Sequence, residues 1–294
     1  MSSKKLTQYT HLKKLWTKRL RQVQKNVYAK HGDSLVWINN SAQKLLVGST
    51  GLFLLTQPVA TSTLAQATQA QNTPAQALEK PQHTSQTLVS QLANQLPAIV
   101  NPLTQKQEDT IIQTLSNYFN LRLFAQLENK SLNRTYGLIG AEQHLMRYPG
   151  DVITTHFYTQ ADTRFAPSGV APGRGAWGYF ANSKEELTEA DIEREKWYIA
   201  VPTFLSPGWK EDPNSLYAFF KYRKMLVVNP QNGKAVIADI ADAGPAEWTG
   251  KHLGGSPEVM DYLERQDGSE RGPVLYFFID DPGDTIRLGP IQVQ

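Results

Sequence analysis

The chain has 294 residues, 40% of them hydrophobic and none of them cysteine, so it can bury a sizeable core but has no disulfide framework, thiolate metal site or thiol nucleophile. Its formal net charge of +3 is unevenly placed: residues 1–44 hold ten Lys or Arg against one acid, Asp33, and the other 250 residues are net acidic. An electrostatic phosphate-binding face on the globular part is therefore not expected, and nucleic acid is not an expected partner.

In chain order, Leu6, Tyr9, Leu12, Leu15, Trp16, Leu20, Val23 and Val27 recur at three- and four-residue spacing with Lys and Arg between them. This is the pattern of a basic amphipathic helix, suited to an anionic membrane surface or to a partner protein. Residues 45–64 carry no charge, and Ala65, Gln66 and Ala67 follow in the small-residue pattern of a signal-peptide cleavage site. The expectation over residues 1–67 is export, by a cleaved signal or by an uncleaved anchor that ties the chain to the membrane. Residues 68–83 are rich in Gln, Ala and Thr and read as a disordered linker.

Residues 84–134 read as a helical region. Leu88, Leu92 and Leu96 share one helical face, and Thr104 with Gln107 has the form of a capping box. The stripe that follows, Ile111, Leu115, Phe119, Leu123 and Leu127, predicts a helix to about Asn129. From residue 135 to 294, Gly, Pro and aromatic clusters between short apolar runs predict a β domain. Residues 183–194 form an acidic, helix-favouring insertion whose last residues read as a solvated face. Residues 197–205, 215–222, 274–279 and 285–288 are expected strands, and Ser256 with Pro257 marks a helix start.

The most informative stretch is residues 225–250. Two β-branched runs, 225–228 and 235–240, flank Asn232 and Gly233, the strongest short-range hairpin signal. The second run delivers Asp242 into a Gly244-Pro245 turn. Two roles fit it there: capping the turn, or presenting an acid at the lip of a sheet.

This run, with Gly250, Lys251 and Ser256 after it and residues 175–181 before it, resembles the double-psi β-barrel of rare-lipoprotein-A-like (RlpA-like) lytic transglycosylases and expansins. The resemblance covers roughly residues 175–290. It implies an α+β fold, amino-terminal helices followed by a mainly β domain with a double-psi barrel. It also implies an exported cell-envelope protein that binds cell-wall polysaccharide, peptidoglycan above all, either remodelling it or serving as a non-catalytic binding or scaffold module. The family's catalytic aspartate corresponds to Asp242, which would protonate the leaving glycosidic oxygen. Asp239, Glu247 and Trp248 are local candidates to contact substrate or adjust the acid, with Asp239 expected to face solvent. Trp177, Tyr179 and Trp248 fit either sugar stacking or barrel core. The chain departs from the family motif in having Ala243 for its arginine, Val201 or Pro202 for its histidine, and Gly254 for the aspartate before the helix serine.

No metal or cofactor is expected from local patterns. His144, His156 and His252 lack metal-ligand spacing, and the glycine-containing residues 169–175 lack the lysine of a phosphate loop.

Overall fold

Two threonines start the described part of the chain, which a computed structural model gives as residues 84–157, 159–265 and 271–294. The expected amphipathic helix, signal or anchor segment and linker lie outside these residues. Thr84 caps helix α1 (Ser85–Gln95), and Thr104 exchanges bonds with Gln107 to cap α2 (Gln105–Phe119). Each cap satisfies amide groups that the first helical turn leaves without partners. The second helix stops ten residues short of the expected Asn129. Asn120 takes the left-handed conformation at φ 51°, and Leu123 and Phe124 leave the helical stripe to form strand β1 on the sheet. Glu128 and Asn129, also left-handed, turn β2 (Gln126–Leu127) into β3 (Lys130–Ser131).

The expected hairpin forms as β6 (Lys224–Val228) and β7 (Ala235–Ala243), with Val227 opposite Val236. Both strands are apolar almost throughout because both their faces are covered. Met225, Val227, Val236, Ala238 and Ile240 point into the barrel with Ile139, Ile199, Leu253 and Phe278. Leu226, Val228, Ala235 and Ile237 point outward, where Leu88, Leu92, Ile111, Leu115 and Phe119 of the two helices cover them.

Four more strands close the barrel: β4 (Tyr136–Ala141), β5 (Tyr198–Val201), β8 (Leu253–Gly255) and β9 (Arg271–Ile279). The ring runs β9, β4, β8, β5, β7, β6 and back to β9. It is mixed: β4 with β8 and β5 with β7 are parallel, and the other four pairs are antiparallel. Strand β1 extends it beyond β9, and β10 (Gly289–Ile291) beyond β7.

Three expected strands are corrected. Residues 215–222 lie mostly in helix α5 (Pro213–Phe220), capped by the Asp212 side chain at 3.0 Å from the Ser215 amide and burying Leu216, Phe219 and Phe220. Strand β5 stops at Val201, and residues 203–205 form a 3-10 turn beyond Pro202. Residues 285–288 are not a strand, since the Thr285 and Ile286 amides donate to the Asp281 carboxylate at 3.0 and 2.9 Å. By contrast, residues 274–279 lie within β9, and Ser256 caps α6 (Pro257–Tyr262) through a 3.2 Å bond from the Val259 amide.

The hairpin turn also abuts α1. Gly233 has φ +75°, and a Cβ there would lie 2.9 Å from the Ser85 carbonyl oxygen. Gly233→Ala is therefore expected to lower stability by about 1–2 kcal/mol, the sum of a left-handed alanine and a backbone clash. Urea unfolding should show it as a lower midpoint at unchanged slope.

Candidate functional site

Strand pairing brings together one row of residues. Gly140 of β4 pairs with Gly254 of β8, Gly254 with Ala200 of β5, and Ala200 with Asp242 after a bulge in β7. Glu142, just past the end of β4, donates its amide to Gly255 at 2.9 Å and folds its side chain across Gly254. A Cβ on Gly254 would fall 2.5 Å from Glu142 Cγ, so the glycine makes room for this carboxylate. Gly254 lies buried beneath Glu142 and Ala200 is buried with Leu145, Tyr198 and Ala241, while the half-buried Glu142 and Asp242 form a carboxylate pair beside them.

Asp242 is half-buried, and its Oδ1 accepts from the amides of Ala176 at 2.8 Å and Ala243 at 2.9 Å. Burial pushes its pKa up, and the two amides pull part of that shift back. Burial likewise raises Glu142; Lys251, 3.1 Å away, opposes the rise and the charge of Asp242 adds to it. Beside them, the Trp177 indole donates to the Tyr217 carbonyl at 3.0 Å, and the two rings lie 5.2 Å apart. The Tyr217 hydroxyl donates to the Ala176 carbonyl, so Tyr217 and Asp242 hold the same residue from its two sides.

The other sequence candidates are dispersed. Tyr179 is half-buried two residues beyond Trp177. Glu247 and the 88% exposed Trp248 sit on a 3-10 turn, where Glu247 borders a cavity of about 160 Å³ shared with Arg134, Pro245, Lys251 and His252. Asp239 does not face solvent. It is fully buried beneath helix α4 (Glu189–Lys196), which forms in the expected helix-favouring stretch but turns Arg194, expected on a solvated face, inward. Arg194 reaches it at 2.6 Å, and burial, opposed by Arg194 and Lys224, lifts its pKa to about 7.

A second grouping lies where the segment after Glu142, with the short helix α3 (Ile153–His156), meets α4. His144, His156 and Glu195, all buried, converge on one point. One Glu195 oxygen lies 3.3 Å from His144 Nδ1 and accepts from the Leu145 amide at 2.9 Å, and the other lies 3.1 Å from His156 Nε2. His156 Nδ1 faces Asp151 at 3.0 Å, and Asp151 also receives the Arg147 amide and two guanidinium bonds at 2.9 and 3.2 Å. Burial pushes His156 down, yet its bonds to Asp151 and Glu195 outweigh this and raise its pKa to about 9. Burial pushes Glu195 up, and its contacts with the two histidines bring it to about 2. Glu258, in the first turn of α6, is pushed up to about 8, first by burial and then by the charge of Glu195.

Tyr198 joins the two groupings. Its buried hydroxyl donates to the Gln143 carbonyl, and it feels the charges of Glu195, Glu142, Asp242 and Glu258. Together with burial, these hold its pKa well above the usual tyrosine range.

Sequence reasoning missed Glu142 and the histidine grouping. Glu142 stands 100 residues from Asp242, and His144, His156 and Glu195 follow no local ligand motif. Compared with known proteins, the chain matches no family model and no curated sequence.

Proposed function

We propose that the chain is an exported cell-envelope protein whose barrel binds cell-wall polysaccharide, peptidoglycan in the first instance, at the surface beside Glu142 and Asp242. The barrel would be of the double-psi type of RlpA-like and expansin-like proteins, a reading supported by its closed six-strand ring with two parallel pairs. The observation that carries the function is the convergence of these two carboxylates, both raised by burial, next to the Trp177–Tyr217 aromatic pair. Carboxylates accept from sugar hydroxyls, and aromatic faces stack on sugar rings.

Cleavage adds one requirement, a proton for the leaving oxygen. Asp242 would supply it, since burial favours its protonated form and its second oxygen is not engaged by the two amides. A second reading, binding without cleavage, is favoured by the use of Asp242 Oδ1 as acceptor for two turn amides, which is itself a structural role.

Binding is tested by sedimenting the purified chain with insoluble peptidoglycan. Retention is expected, and Trp177→Ala, in the aromatic pair beside Asp242, should weaken it about tenfold, the effect of losing one aromatic contact. A chain that stays wholly in the supernatant removes the glycan reading.

A further inference from the structure

We infer that His144, His156 and Glu195 form a buried site for one divalent transition metal ion, with zinc the best fit. Two imidazoles and a carboxylate are donors that zinc accepts, and its four-coordinate sites are usually tetrahedral. One ligand atom from each of His144, His156 and Glu195 can be chosen so that all lie within 4.8 Å of one another. The two Glu195 oxygens lie 3.3 Å from His144 Nδ1 and 3.1 Å from His156 Nε2, so the carboxylate stands between the two imidazoles.

Two further observations point to an ion. His156 turns its other nitrogen to Asp151, and Arg147 fixes Asp151 in turn, which is the outer arrangement that orients a metal-bound imidazole. His144 Nε2 is buried and has no hydrogen-bond partner, a costly state that coordination through that nitrogen relieves. All three ligands are buried, so the site is structural, tying the segment after β4 to α4. The inference does not depend on glycan binding, and its readout is separate.

The test uses the full-length chain carrying an affinity tag without histidines, purified in mild detergent. It is incubated with zinc, dialysed, and assayed by elemental analysis, with cobalt as a spectroscopic substitute. About one zinc per chain should remain, and the cobalt form should show the intense visible bands of tetrahedral coordination. His144→Gln should lower zinc affinity at least about tenfold with the circular dichroism spectrum retained. His156→Gln should abolish stoichiometric binding. A wild-type chain that keeps no zinc after incubation and gives no such cobalt spectrum overturns the inference, and the grouping is then a metal-free hydrogen-bond network. Zinc bound equally by both variants overturns the assignment of these ligands.

Discussion

Asp242→Asn is expected to lower the release of anhydro-muropeptides from peptidoglycan by at least about 100-fold, the usual effect of removing a general acid. Asparagine keeps the shape of the side chain, and its amide oxygen can still accept from the Ala176 and Ala243 amides that Asp242 Oδ1 uses. What it lacks is a proton of suitable acidity. The variant should therefore stay folded and still sediment with the wall, separating chemistry from binding. The pH profile gives a second check. Burial raises the Asp242 pKa above its usual value, so the protonated form persists beyond the ordinary aspartate range and is lost as pH rises through the raised value. Wild-type release should fall along that alkaline limb. Release undiminished by the substitution would remove Asp242 as the acid. Wild-type retention without any release would leave binding alone as the function of this surface.

The hairpin and its acid were legible because they are local. A β-branched run, Asn232-Gly233 and a second run specify β6, β7 and the approach to Asp242 without help from distant residues. Helix α2 was legible at its start, where Thr104 and Gln107 cap it, but not at its end. Leu123 continues the helical stripe, and only pairing with Ile279, more than 150 residues later, turns it into a strand. Helix α5 was misread because its aromatics resemble a strand, while the signal that mattered was Asp212 followed by Pro213. Glu142 became part of the site only when β4 and β8 were seen to run side by side, since Gly254 then has a visible purpose. In the sequence, that glycine was merely a departure from a family motif. The histidine grouping was beyond local reading, because the segment carrying His144 and His156 meets Glu195 through tertiary packing alone.

The buried grouping also sets the largest expected loss of stability. Asp151 is fully buried and accepts from the Arg147 amide, two Arg147 guanidinium nitrogens and His156 Nδ1. Burial alone would raise its pKa, but these donors hold it well below the usual aspartate range. Asp151→Ala removes the one carboxylate to which both the 2% exposed Arg147 side chain and His156 are bonded. Breaking one side of such a buried pair costs about 3–5 kcal/mol. In a folded region of this size each kcal/mol is worth about 2–4 °C, so a drop in Tm of about 6–20 °C is expected in a calorimetric scan. Arg147→Met with Asp151→Leu, an apolar pair of similar volume, should recover much of the loss, since the penalty comes from the remaining buried charge more than from the missing attraction. Asp151→Ala at wild-type Tm would show that water enters to solvate Arg147, and the segment after β4 would then be anchored by Glu195 and His144 instead.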